Sequence, residues 1–500
     1  MMYRVLILLT CLAISDCCKK SKEPEKTGME EKRKKKIMNK KVIIIGGGAA
    51  GIATAERLER GGETDFLILE ATRRVGGRVR SESVGQGGGR VEFGAQYIHG
   101  VEGNVVYEMA EKWGMVEPNE EEDEEDAAYM TKNGKTIKRS IIDKIEEVME
   151  NIETNLEEKN SNDLKNYSSV GDFFTTSLHK KLQTEELEKY RSEALQYLEL
   201  YGKVENTDWG SASLYDVAAD GNTRYQECPG NQGVTFKQNT NYQDLIEKYG
   251  ASVLDKVVLG ERVTAVRQHS DDMVEVETAS TVYQCQYAVV TVSLGVLKNE
   301  LIHFTPNLPA DKRSAIASIG FGVVAKVFLE YEADPWTLDP DMPDDGFYFL
   351  REEGELGNPW RNLPSSPWQD GFSFLWTDQY HLNPKILTAW FTGPAALKVE
   401  SLPQSSLLTA MTSLLGSYLT SSHPLAHPIS ATSTTWGTEN TTLGSYSFPT
   451  PATPPSAPAS LARPLGRILW AGEATHSTHW STVHGALETG WREAERILGY

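Results

Sequence analysis

Gly46, Gly48 and Gly51 stand in the pattern G-x-G-x-x-G, directly after the apolar run Val42-Ile43-Ile44-Ile45. Each spacing has a physical use. The first glycine permits a tight turn out of a strand. The second lets a pyrophosphate approach the main chain, and the third lets the following helix pack closely on the strand. The start of that helix, continued by Ala55 and Leu58, offers unpaired N–H groups and the positive end of a dipole to the same pyrophosphate. A second apolar run, Phe66-Leu67-Ile68-Leu69, ends at Glu70. An acid roughly 20 residues beyond such glycines is placed to hold a ribose hydroxyl. Strand, glycine turn, helix, strand and acid in this order predict a dinucleotide site. The competing reading is a tight turn in an ordinary βαβ unit.

After Glu70 the chain reads Ala71-Thr72-Arg73-Arg74-Val75-Gly76-Gly77-Arg78. A glycine pair flanked by arginines suits a second main-chain approach to a diphosphate, with Arg74 or Arg78 supplying positive charge; a basic loop with a glycine turn reads the same way. At the far end, Gly466 to Thr475 is again strand then turn, and Ser481-Thr482-Val483-His484-Gly485-Ala486 leads into an amphipathic helix, Leu487 to Leu498. A second phosphate-facing helix start suggests a ligand clasped from both termini. No second fingerprint exists: Gly85 to Gly89 is glycine-rich but lacks a third glycine in place. Without a nicotinamide site, electrons enter from the substrate and leave to oxygen or another acceptor. The arginine-flanked glycine pair and the C-terminal block favour FAD over NAD at the first site, so the reading is an oxidase or dehydrogenase whose flavin carries the hard step. Lys326 is the other residue out of place, a charge among Val324, Ala325, Val327 and Phe328. Burying an ammonium is costly without a partner; the alternative is a lysine on the exposed face of an edge strand.

The elements that must position these groups are legible in outline. The 500 residues suffice for a large core in two to four domains' worth of chain. The segment from 111 to 205 is helical in period, for example Ile141 to Leu156 and Glu185 to Leu200. Strands follow at Val257-Val258-Leu259, Val263 to Val266, Val274 to Val276, Tyr287 to Val292 and Val323 to Tyr331, and Pro449 to Pro464 reads as a loop. The formal net charge of −20 argues against nucleic acid and suits a cationic small substrate. The acidic run Glu120 to Asp126 reads as a solvated loop. Cys228 and Cys285 are the only cysteines beyond the N-terminal segment, so there is neither a disulfide framework nor metal-ligand spacing, and no metal is expected.

Residues 1–18 read as a secretory signal peptide: Arg4, an apolar run Val5 to Ile14, then small and polar residues. That run is short for a membrane span, and none is expected in the mature chain. A charged linker, 19–39, follows. Two sequons, Asn166-Tyr167-Ser168 and Asn440-Thr441-Thr442, are compatible with a secreted protein. Met38, read as lying just before the first strand, would start a cytoplasmic product. The terminal Leu498-Gly499-Tyr500 is not a peroxisomal address.

Taken together, the chain resembles the flavin amine oxidase family, and within it the animal polyamine oxidases (spermine oxidase and N-acetylpolyamine oxidase). The resemblance rests on the N-terminal fingerprint, Gly76-Gly77-Arg78, Gly94 to Gly100, Val290 to Lys298, Lys326 to Leu329, Gly444 to Ser447 and the C-terminal block. It runs from about residue 40 to the end and is weak from about 115 to 225. It implies an α/β fold of α+β two-domain type, a Rossmann-like FAD-binding domain with an inserted sheet-plus-helices substrate domain. The expected boundaries are 40–110, 225–300 and 455–500 for FAD, and 111–224 (mostly helical) and 301–454 for substrate.

The resemblance also implies roles. Non-covalent FAD meets Gly46, Gly48, Ala50, Gly51, Glu70, Arg78, Val263, Gly472, Glu473, Thr482 and Val483. Lys326 holds a water at the flavin and assists its reoxidation. His99 hydrogen-bonds a substrate amine or helps keep it neutral, the competing reading being a structural loop histidine; Tyr446 and Thr482 form opposite walls over the flavin. Trp480 faces the flavin or the substrate tunnel, in whose wall Tyr97 replaces the family's usual tryptophan, and Glu199 is a candidate amine-binding acid, the competing reading being a surface helix acid. Ser445 stands where monoamine oxidases attach flavin through cysteine, and a serine cannot form that thioether. The implied reaction moves a hydride from the carbon beside a secondary amine of spermine, spermidine or an acetylated form to flavin N5. The imine hydrolyses to an aldehyde and a shorter amine, and O2 becomes H2O2. A monomer is expected. The competing readings are a monoamine or L-amino-acid oxidase and a non-catalytic flavin-fold binding protein.

Overall fold

The computed structural model describes residues 35–85, 90–117, 127–270, 272–335, 346–351, 371–377, 382–419 and 427–499. The chain divides into Met1–Lys35 and Lys36–Tyr500. The predicted signal peptide and the run Glu120 to Asp126 lie outside the described residues. Every described helix and strand belongs to the second unit.

The first strand is longer than its apolar core. It spans Lys36–Ile45, with Lys36 to Asn39 in register with Thr281 to Gln284. The expected linker to residue 39 is therefore too long, and Met38 lies inside the strand rather than before it. The long partner strand Thr281–Val290 recruits this mixed stretch through main-chain hydrogen bonds, with Met38 packed against the core and Ile37 left exposed. Val42 to Ile45 are buried on both faces, as parallel strands between layers must be.

Around this strand an eight-stranded sheet forms in the order His303–Thr305, Val263–Ser270, Met273–Thr278, Thr281–Val290, Lys36–Ile45, Phe66–Glu70, Val257–Leu259, with Ile468–Trp470 also paired to Thr281–Val290. Three separated stretches of chain thus build one sheet. It continues past the expected boundary at residue 300, because His303–Thr305 pairs in parallel with Val263–Ser270. The helices Ala49–Arg60 and Val483–Leu498 pack together over it; Thr54 Oγ1 donates to Gly490 O at 3.2 Å. The glycine turn before the first helix and the loop before the last are thereby brought together.

The second sheet runs Ser430–Ser433, Val324–Glu330, Ile386–Thr392, Phe372–Trp376, Gly346–Leu350, Ala127–Thr131, Lys135–Thr136. The segment expected to be mostly helical gives it two strands. Val324–Glu330 is interior to the sheet and buried at every position, so the edge-strand reading of Lys326 is excluded. The helix expected over Glu185 to Leu200 is two, Glu185–Glu188 and Arg191–Trp209. The second ends at Gly210. Its partner Arg139–Glu157 shares an apolar cluster with it, through Ile145, Met149, Ala194 and Leu198. The Pro449 to Pro464 stretch, expected as loop, holds a short helix, Ala457–Ala462, with proline in its first turn. Among the described residues no helix is long and apolar enough to cross a membrane.

Candidate active site

A cavity of about 1630 Å³ runs from the carboxyl ends of the first sheet to the face of the second. One wall is the glycine turn. Gly46 has φ +111°, which side-chain-bearing residues rarely adopt, and a Cβ at Gly51 would lie 2.0 Å from Gly46 O. Gly46, Gly48 and Ala50 line the cavity; Gly51 sits behind them. Gly48 caps the helix without a side-chain hydrogen bond, so the first-turn N–H groups are left for a ligand. Glu70 closes this end. Its Oε2 accepts from Gly47 N and its Oε1 from Thr72 N, both at 2.7 Å. These bonds hold the carboxylate on the turn while each oxygen keeps a lone pair. Val263, Gly472 and Val483 also line this wall.

The two arginine candidates separate. Arg74 Nη1 donates to Val75 O and Val79 O, and Nη2 to Gly77 O at 2.6 Å; it braces its own loop. Arg78 reaches across, with Nη1 2.6 Å from Ser445 O and 2.9 Å from Glu473 Oε1. Glu473 is buried, and its Oε2 accepts from Ser447 Oγ at 2.5 Å and Ser481 N at 2.9 Å. This pair ties the N-terminal loop to both C-terminal segments, and both residues line the cavity.

Lys326 is 4 % exposed. Its ammonium donates to Glu92 O and Gly94 O at 3.0 Å and to Gln96 Oε1 at 2.5 Å, and lies 4.6 Å from the Trp390 ring centroid. The burial cost is offset by these three acceptors from residues 92–96. The Glu92 carboxyl is buried beneath, anchored by Ser81 Oγ and Tyr242 N, and burial pushes it up to about 7. Gln96 is not among the expected residues. No single-residue signal marks it, because an amide in a loop has many uses.

His99 is exposed, but to the cavity. The protein packed around it depresses its imidazole below the ordinary value, favouring the neutral ring. Its main-chain carbonyl accepts from Asn104 Nδ2 at 2.8 Å. Tyr446 lines the cavity with its hydroxyl donated to Thr207 O, and Trp480 lines it in edge contact with Tyr225, centroids 5.2 Å apart. Thr482 lines it too, but its hydroxyl accepts from Gly485 N at 3.0 Å and donates to His479 O at 2.8 Å. That is the work of a helix cap. Thr482→Ala is expected to lower stability by about 1 kcal/mol, read by denaturant melting.

Glu199 is not in the cavity wall. It is buried in ion pairs with Lys203 Nζ at 2.9 Å and Arg351 Nη1 at 3.2 Å. The helical period explains the miss: Asp208, nine positions on, faces the opposite way at about 100° per residue. Glu205 and Asp208 line the cavity instead, joined by Glu153 and Glu157 of Arg139–Glu157 and by Glu227. Burial and then Glu153 push Asp208 up to about 7; burial and then Asp208 hold Glu205 well above the carboxylate range. Asp208 counts as exposed, but what it faces is the cavity. The i,i+4 spacing of Glu153 and Glu157 and the i,i+3 spacing of Glu205 and Asp208 were the signal that could have found these groups, but Glu157, Glu205 and Asp208 lie past the expected helix ends at Leu156 and Leu200. Tyr348, Phe374, Trp376 and Trp390 add aromatic surface.

Comparison with known proteins gives a consistent picture. The family model described as flavin containing amine oxidoreductase matches residues 49–498. Polyamine oxidase 1 of Oryza sativa subsp. japonica is 31% identical over 90% of this chain and 95% of its own length. The peroxisomal N(1)-acetyl-spermine/spermidine oxidase of Homo sapiens is 29% identical over 90% and 93%. A solved structure of putrescine oxidase bound to putrescine superposes with a TM-score of 0.69 at 16% identity, over 93% of this chain and all of that one; it supports the fold.

Proposed function

The chain belongs to the flavin-containing amine oxidoreductase family, and on that premise we propose that its substrate is a polyamine with charged distal amines. It is an FAD-dependent amine oxidase. FAD fits the uncapped helix start, the glycine turn, Glu70 and the Arg78–Glu473 pair, and supplies the two-electron acceptor that the side chains lack. FAD is held without a covalent link in this reading: Ser445 Oγ is committed to Val324, accepting from its N at 2.9 Å and donating to its O at 3.1 Å.

The observation that carries the substrate class is the acidic wall. The helices Arg139–Glu157 and Arg191–Trp209 give the cavity four carboxylates, Glu153, Glu157, Glu205 and Asp208, and no cationic side chain. On each helix the two acids stand about one turn apart, roughly 5–6 Å, a spacing comparable to that between the nitrogens of an aminopropyl or aminobutyl unit. Aromatic faces nearby favour the same cations. Burial, and after it the neighbouring acids, favours the protonated forms of Asp208 and Glu205, so an arriving polycation restores their charge. The neutral His99 ring accepts a hydrogen bond from the amine being oxidised. The relatives named for polyamine substrates support the same class.

The test is peroxide release by the purified yellow protein with spermine, N-acetylspermine, benzylamine and leucine. Turnover of a polyamine well above the others is expected; activity only on benzylamine or leucine would move the chain to the monoamine or amino-acid oxidase reading. Asp208→Asn is expected to raise KM for spermine about 10- to 100-fold, the range of a charge-assisted hydrogen bond, with little change for benzylamine. The pH sign follows from the raised Asp208. Cation binding needs the ionised carboxylate, so KM for spermine rises as pH falls through about 7. The Asn variant flattens that limb.

A further inference from the structure

Behind the wall that carries His99 lies a cluster that amine oxidation does not use. Cys228 is a free, buried thiol. His476 and His479 lie in the loop after Glu473–Thr475, and His484 and Glu488 stand one turn apart at the start of Val483–Leu498. One donor atom from each of Cys228, His479 and His484 falls within 4.8 Å of the others. We propose that Cys228, His479 and His484 form a binding site for a zinc-type divalent cation. A thiolate and two imidazoles suit such an ion, with solvent as the fourth ligand. Donors around a tetrahedral zinc stand about 3.3–3.8 Å apart, from bonds of roughly 2.0–2.3 Å, so the group must close by about 1 Å.

Three observations support the site over a chance cluster. His484 is 3 % exposed, and its Nε2 has no hydrogen-bond partner among the described residues. A metal would give that atom one. His476 Nδ1 accepts from Thr478 N at 3.2 Å and His479 N at 2.7 Å. This places its proton on Nε2, which donates to Glu488 Oε2 at 2.8 Å. His476 is therefore not a ligand; it orients Glu488. The same carboxylate oxygen lies 3.0 Å from His479 Nδ1, and a carboxylate only accepts. His479 thus carries its proton on Nδ1 and its lone pair on Nε2. A carboxylate fixing the tautomer of a ligating histidine is the usual second support of such sites. Binding releases the Cys228 thiol proton to solvent. It also puts the His484 proton on Nδ1, which lies 3.4 Å from Asn104 Nδ2, itself a donor. Asn104→Asp would turn that neighbour into an acceptor.

The test uses the full-length FAD-loaded protein, stripped with a chelator, refilled with Zn2+ alone and desalted before elemental analysis. About one zinc per chain is expected, with most of it lost in Cys228→Ala and His484→Gln at unchanged flavin absorbance. Glu488→Gln should weaken zinc about 10- to 100-fold, and Asn104→Asp should tighten it. Zinc should raise the Tm of the wild type and not of those two ligand variants. Should the ligand variants fail to fold, Co2+ loading of the wild type decides, through thiolate charge-transfer and tetrahedral d–d absorption beyond the flavin bands. Absence of stoichiometric zinc, zinc content unchanged in Cys228→Ala and His484→Gln, or cobalt without a thiolate band would each overturn the proposal.

Discussion

Lys326→Met is expected to lower oxidative turnover by about 10²- to 10⁴-fold, the range of a lost proton-transfer group, while the protein stays yellow. The side chain is buried in the interior of the second sheet, and methionine fills a similar volume without a charge. What disappears is the donor to Glu92 O, Gly94 O and Gln96 Oε1. Buried acceptors left without a donor cost about 1–3 kcal/mol, so a fall in Tm accompanies the kinetic effect and must be separated from it. Stopped-flow measurement of the two half-reactions does so. If Lys326 acts on the oxygen side, flavin reduction by amine is nearly unchanged and reoxidation slows. Equal slowing of both would assign the residue to the frame of the site alone, and unchanged turnover would remove it from the chemistry altogether.

The contrast between Lys326 and Glu199 shows what a sequence exposes. Lys326 stands out because its neighbours are apolar, and a charge that breaks a strand's pattern must have acceptors somewhere. The fold supplies them from residues 92–96, far away in sequence, which no local pattern announces. Glu199 stands on a helix already rich in acids, where the sequence offers no way to choose a face. The choice depends on the packing of Arg191–Trp209 against Arg139–Glu157 and the second sheet, and that packing puts Glu205 and Asp208 on the cavity and Glu199 against Lys203 and Arg351. The nucleotide end is legible for the opposite reason. Gly46, Gly48, Ala50 and Glu70 lie within one local βαβ unit, so their spacing already is their geometry. The first strand's N-terminal extension, interrupted by Lys36, Asn39, Lys40 and Lys41, and the short helix Ala457–Ala462 escape a sequence reading because main-chain pairing and fewer than two helical turns leave little periodic trace.

Gly51→Val is expected to abolish FAD retention and leave a colourless protein. Gly51 lies in the first turn of Ala49–Arg60, where that helix crosses the end of the first strand. A Cβ there would meet Gly46 O at 2.0 Å and Gly46 C at 3.1 Å, with Thr291 Oγ1 also at 3.1 Å. Main-chain atoms cannot swing aside as a side-chain tip can. The turn is also pinned: Gly46 N donates to Leu69 O, and Thr291 Oγ1 donates to Ile45 O and Gly46 O. Relief therefore requires the helix to lift from the sheet, which carries its unpaired N–H groups away from the ligand and disturbs the packing on Val483–Leu498. Overpacking of this kind costs about 1–3 kcal/mol or more. Flavin absorbance after desalting, read beside a far-ultraviolet spectrum, separates the two effects. A folded, colourless chain is the expected result, and Gly51→Ala should show a milder form of it. A yellow Gly51→Val protein with normal turnover would mean that the close helix–strand contact does not govern cofactor binding here.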